Sequence, residues 1–173
     1  MSDPVQQTPP DDEAAPKLGA VLDFMRLVWG VDHALQRRSK RMNSELGVTG
    51  PQRLVVRVIG KYPGVSAGRI ADILHLDKST LSGVLQRLET RGLVVRRADQ
   101  SDGRRAEFRL TAKGRVLDGA KHGTVEAAAR RALARTTPTQ LAAASLVLEA
   151  LATELLREEK LRPRRAAKKT NDR

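Results

Sequence analysis

The chain has 173 residues, enough for one domain with tails, and is 40% hydrophobic but only 2% aromatic. Its core must come from Leu, Val, Ile, Ala and Met, which suits helix-on-helix packing better than a β-sandwich. A formal charge of +12 points to an anionic partner, usually nucleic acid, and the lack of Cys excludes disulfides, thiolate metal sites and thiol redox sensing.

Residues 1–17 hold Asp3, Asp11, Asp12 and Glu13 together with Pro4, Pro9, Pro10 and Pro16. They read as a disordered acidic, proline-rich tail without the apolar stretch of a signal peptide. No run of about 18 apolar residues is found, so no membrane span is expected and a cytoplasmic location follows. From Leu18 the residues Val21, Met25, Val28, Leu35, Met42 and Leu46 recur at helical spacing, predicting a helix over 18–47 that Gly47 stops. Asp32 and Ser39 interrupt that stripe, with Trp29 and His33 adjacent. Buried polar groups need partners, and a bound ligand would supply one for these residues.

Thr49-Gly50-Pro51-Gln52 predicts the start of a second helix, with Leu54, Val55, Val58 and Ile59 as its apolar face. Gly60 and the Tyr62-Pro63-Gly64 run end it. Ser66 caps a short third helix with Ile70, Ala71 and Leu74 inside. After His75-Leu76-Asp77 comes a fourth, with Leu81, Val84, Leu85 and Leu88 on one side and Gly92 at its close. A strand over 93–95 then leads into Arg96 and Arg97, a polar run spans 99–103, and Ala106, Phe108 and Leu110 alternate with Glu107 and Arg109. That alternation predicts a hairpin. Thr111 opens a second long helical stretch reaching about Arg135. Thr137-Pro138-Thr139-Gln140 starts a last helix with Leu141, Ala144, Leu148, Leu151 and Leu155 near heptad spacing. Beyond Leu161 the chain is cationic and expected to be disordered.

Two short helices joined by a three-residue turn and followed at once by a hairpin are the parts of a winged helix-turn-helix. At 100° per residue, Ser79, Gly83, Gln86, Arg87 and Thr90 project away from the apolar face of the fourth helix, with Thr80 and Ser82 on its flanks. No acid precedes Glu89, and small residues lie near the N-terminus, as a helix entering the major groove requires. Arg96, Arg97, Arg104, Arg105 and Arg109 cluster on the hairpin, where a cationic tip can follow phosphates or enter a narrow minor groove. The candidate DNA-binding residues are Ser66, Lys78, Ser79, Thr80, Ser82, Gly83, Gln86, Arg87, Arg96, Arg97, Arg104 and Arg105. A nucleoid-like architectural protein with little sequence preference is the alternative. Nothing suggests an enzyme: Gly60-x-x-x-Gly64 lacks the Gly-Lys-Ser/Thr of a phosphate loop, no catalytic set is recognisable, and His33, His75 and His122 are too dispersed for a metal motif. No cofactor is expected.

Val48-Thr49-x-Pro51-Gln52, the run from Leu76 through Ser82, Leu88-Glu89-x-Arg91-Gly92-Leu93-Val94, Arg96-Arg97-x-Asp99-x-x-Asp102-x-Arg104 and Leu110-Thr111-x-x-Gly114 stand in order at family spacing. Over roughly Leu46 to Gly114 the sequence resembles the MarR family of regulators. The resemblance implies a mainly α fold with a small β-hairpin wing: a winged helix-turn-helix domain over 48–111, dimerisation helices over 18–47 and 112–160, and tails over 1–17 and 161–173. It implies a homodimer with reading helices in successive major grooves and Arg104 in or near the minor groove, acting as a transcriptional regulator on double-stranded DNA. A small anionic or aromatic effector binding between the helical and winged parts is a further implication, which makes Trp29, Asp32, His33 and Ser39 candidates for its pocket; bonding across the dimer interface is the alternative for these four. Two positions depart from the family. His75 stands where such turns commonly carry Gly, though His tolerates the left-handed conformation better than most residues. Gly83 stands where many relatives carry a larger polar residue.

Overall fold

The structure, a computed structural model, describes residues 18–98 and 106–161. The chain divides into two compact units, Met1–Val125 and Glu126–Arg173.

The first unit opens with α1, Ala20–Leu46, which ends on Gly47 in a left-handed cap (φ 72°). Its apolar stripe is uncovered: Met42 is its one buried residue, while Val21 is 74% and Leu35 44% exposed. Next, α2 spans Gly50–Lys61 and begins with the expected capping box, the Thr49 N–H donating to Gln52 Oε1 at 3.0 Å. Its inward residues are Gln52, Arg53, Val55, Val56, Val58 and Ile59; Leu54, expected inside, is 52% exposed, and Val56 takes its place in the core.

A two-residue strand, β1 (Val65–Ser66), precedes α3, Ala67–Leu74. After the turn through His75, α4 spans Lys78–Thr90. The wing strands are β2, Val94–Ala98, and β3, Ala106–Leu110. The sheet is antiparallel with order β1-β3-β2, pairing Val65 and Arg96 with Phe108 from either side. The expected hairpin therefore gains a third strand. Arg96 and Arg97 lie within β2 rather than after it. Val55, Ile59, Ile70, Leu81, Leu85, Leu88, Leu93 and Phe108 belong to one core beneath the sheet and α2–α4.

His75 adopts φ 50°, ψ 42°, and its backbone N–H bonds to the Ala71 and Asp72 carbonyls. It is the non-glycine residue with positive φ among those described. A Cβ in this region is unfavourable, so His75→Gly is expected to raise stability by about 0.5–1 kcal/mol while keeping both backbone bonds. The thermal midpoint reads this directly; a fall would show that the imidazole itself supports the turn.

The expected helix from Thr111 to about Arg135 is broken in two. First comes α5, Ala112–Asp118, and after a break α6 spans Val125–Leu133. Within the break Gly123 has φ +73°. The guanidinium of Arg53 donates to the carbonyls of Leu117, Asp118 and Ala120, occupying acceptors that a continuing helix would give to its own N–H groups.

The second unit contains most of α6 and all of α7, Pro138–Leu161. The capping signature recurs at its start: Thr137 N–H donates to Gln140 Oε1 (2.9 Å), and Gln140 N–H to Thr137 Oγ1 (3.2 Å). Leu141, Leu148 and Leu155 of the predicted stripe are 43–59% exposed, as are Leu146, Val147 and Leu156 at 50–68%. No membrane span is expected from the sequence, yet Pro138–Arg157, of mean hydropathy 1.3 and wholly unburied, is long and apolar enough to cross a membrane by length and composition.

Candidate nucleic-acid interface

The seating of α4 follows from its sequence. Leu81, Val84, Leu85 and Leu88 are buried, which turns Lys78, Ser79, Thr80, Ser82, Gln86 and Arg87 outward. Two hydroxyls on this surface donate within the helix: Ser82 Oγ to the Lys78 carbonyl (2.8 Å) and Thr90 Oγ1 to the Gln86 carbonyl (2.9 Å). Their lone pairs remain available as acceptors, while the Lys78 ammonium, Gln86 amide and Arg87 guanidinium supply donors. Neither backbone nor packing requires glycine at 83. Its φ is not positive, and a Cβ there would meet nothing within 4 Å. The position is an open notch in the outward face.

A groove of about 880 Å³ runs between α3, α4 and the sheet. It brings together Ser66, Ser82, Gln86 and Arg96 of the expected residues, and adds Arg69, Asp72 and Glu89. Ser66 Oγ accepts from the Arg69 N–H at 3.3 Å, capping α3 as expected. Arg69 was missed. Its signal was its place in the first turn after that cap, where it is exposed beside the buried Ile70. The two acids make this groove mixed in charge, whereas the outward face of α4 is free of acid until Glu89. Ser79, Gly83 and Arg87 are not among the groove residues; they belong to that outward face.

Arg96 and Arg97 are exposed on β2, opposite Phe108 and Glu107 of β3. Arg109, also exposed, pairs with Glu107 at 3.0 Å, so part of the hairpin's positive charge is neutralised locally. The wing-tip residues Arg104 and Arg105 lie outside the described residues.

Of the expected effector-pocket residues, Trp29 is 63% exposed, and Asp32 and His33 are exposed beside it on α1. Asp32 accepts from Gln36 Nε2 at 2.7 Å. Ser39 stands apart, two turns further on. Its Oγ accepts from the Gly50 N–H at 2.8 Å and so ties the start of α2 to α1. Nearby on α1, the hydrogen bond from Arg41 holds the Glu45 carboxyl below its usual range, on the solvent side of the helix. No group of three or more potential metal ligands occurs among the described residues.

Residues 46–105 match the model of the MarR family. The HTH-type transcriptional repressor Rv2887 of Mycobacterium tuberculosis is 33% identical over 128 residues, covering 74% of this chain and 92% of that protein. The transcriptional regulator HosA of Escherichia coli O157:H7 is 39% identical over 83 residues, 47% of this chain and 62% of its own. Among solved structures, the PcaV transcriptional regulator of Streptomyces coelicolor, in complex with its natural ligand, aligns with TM-score 0.64 at 26% identity, over 82% of this chain and 98% of that one. MepR of S. aureus, in a DNA complex, shares the fold with TM-score 0.63 at 19% identity, over 76% and 97%. With the winged unit, the closing Leu110-Thr111-x-x-Gly114 motif and this span of similarity in place, the chain belongs to the MarR family of transcriptional regulators.

Proposed function

We propose that the protein reads a specific double-stranded DNA sequence as a homodimer, in the manner of a cytoplasmic repressor released by a small anionic or aromatic effector, and catalyses no reaction. The outward face of α4 carries this reading. A helix fits the major groove, about 12 Å wide, when its exposed side offers small residues and hydrogen-bonding groups without fixed negative charge. Lys78, Ser79, Thr80, Gly83, Gln86 and Arg87 supply that set. Ser66 at the start of α3 and Arg96, Arg97, Arg104 and Arg105 of the wing serve the phosphates and the minor groove. The uncovered stripes of α1 and α7 are the surfaces a second copy covers, and two-fold symmetry then asks for an inverted repeat with half-site centres about one helical turn apart. Trp29, Asp32 and His33, exposed together on α1, form the effector end; the ligand held by PcaV supports an effector role in this fold.

Selection of bound sites from random DNA tests the reading. An inverted repeat is expected. On the selected site, Gln86→Ala or Ser79→Ala should each lose about 1–3 kcal/mol and relax the base preference at one or two positions per half-site. Equal affinity for selected and random DNA would instead favour an architectural role.

A further inference from the structure

Gly83 lies in the middle of α4, and nothing inside the protein asks for a glycine there. Its φ is not positive, and a Cβ would meet no atom of the surrounding structure within 4 Å. Glycine also weakens the interior of a helix relative to alanine, because it has more conformational freedom to lose. A residue that weakens its own helix and serves neither turn nor packing has its use outside the chain.

The notch has a definite chemistry. Ser79, Thr80, Gln86 and Arg87, three and four positions away along α4, are its neighbours on the helix surface, and all are exposed. Ser82, next in sequence, turns its Oγ back onto the Lys78 carbonyl at 2.8 Å and so away from the notch. The floor is the Gly83 Cα, whose backbone N–H and C=O are engaged in the helical ladder. An apolar floor within a hydrogen-bonding rim takes one small apolar group. On the major-groove edges of the base pairs, the apolar substituent is a methyl on C5 of a pyrimidine. Thymine carries it, and so does 5-methylcytosine.

We propose that Gly83 is a specificity-determining residue that receives the C5 methyl of one pyrimidine in the sequence read by α4. This rests on the reading given above, in which α4 enters the major groove. The space concerned is that of a single methyl, so an alanine side chain and the methyl of the base compete for it. Ser79 and Gln86 on the rim bond to base edges beside the methyl, and their loss is separable from closure of the notch.

The operator selected from random DNA is remade with each thymine replaced singly by deoxyuridine, which removes the methyl and keeps the hydrogen-bonding edge. Each cytosine is replaced in turn by 5-methylcytosine. Wild type and Gly83→Ala are titrated on the whole set. At one position wild type is expected to bind the methylated base about three- to tenfold more tightly than the unmethylated one. Gly83→Ala should lose about tenfold or more on the methylated base and recover most of that on the unmethylated one, because its own methyl then fills the space. A loss on deoxyuridine identifies thymine as the source of the methyl, and a gain on 5-methylcytosine identifies methylated cytosine; both carry the proposal. The thermal midpoint of Gly83→Ala should rise by about 2–4 °C. A fall would show that the fold itself needs the glycine and would overturn the proposal. Equal losses for Gly83→Ala with and without the methyl would overturn it too, since the added carbon would then only hold α4 off the duplex. A wild-type protein that selects an operator but is indifferent to every C5 methyl removes this inference alone. One that selects no sequence removes the major-groove reading and this inference with it.

Discussion

Gly114→Ala is expected to abolish the folded winged unit or leave it barely stable. A Cβ at this position would stand 2.0 Å from the Leu93 carbonyl oxygen and 3.3 Å from Leu110 Cβ, so backbone has to move. The first turn of α5 has no freedom to retreat. Thr111 N–H donates to the Leu93 carbonyl (3.1 Å), Thr111 Oγ1 donates to the Gly92 carbonyl (2.7 Å) and accepts from the Gly114 N–H (3.0 Å). Lys113 Nζ adds a bond to the Arg91 carbonyl at 3.2 Å. Displacing the helix breaks this lock to the turn between α4 and β2, and overpacking of this severity costs about 3–5 kcal/mol. Against the low end of a total stability of about 5–15 kcal/mol, that is most or all of the margin. Gly119→Ala is the control: its nearest neighbour would be 3.5 Å away at φ −70°, so its effect should stay within about 1 kcal/mol. Urea unfolding of both variants decides the matter. A loss under about 1 kcal/mol at Gly114 would mean that α5 can slide without consequence.

The second large effect concerns association. Leu148 and Leu155 are 53% and 59% exposed, so Asp at both should change the stability of an isolated chain by only about 0.5 kcal/mol each. If a second copy covers α7, the same pair buries carboxylates and the dimer dissociates. Operator affinity is then expected to fall by about 10²–10⁴, the advantage of holding two readers together, with half-site affinity retained. Sedimentation beside operator and half-site titrations checks both statements. A double variant that remains dimeric would take α7 out of the interface. Recovery of the wild-type chain with membranes would give its apolar surface a different cover.

Local signals made much of this fold legible. Thr49 with Gln52 and Thr137 with Gln140 announced two helix starts because a cap is decided within four residues. The outward face of α4 followed from the spacing of Leu81, Val84, Leu85 and Leu88. What stayed hidden has distant causes. The helix break after Asp118 is stabilised by Arg53, more than sixty positions away in sequence, and an arginine among apolar residues gives no hint of which carbonyls it will meet. Strand β1 is two residues long and owes its existence to Phe108 and Glu107. Ser39 read as an interruption of a stripe; its bond to the Gly50 N–H gives it a structural task that periodicity cannot register.

The bare leucines of α7 also bear on how the protein persists in a cell. A chain that completes its apolar cover by meeting another is least secure just after synthesis, when partners are scarce and proteases have access. Where a second copy is that cover, association stabilises the folded form by mass action, and the resistance of each chain to degradation then rises with the number of chains present. A falling supply would then be amplified: fewer copies means fewer covered helices, faster turnover, and a steeper loss of occupancy at the operator than synthesis rate alone would set.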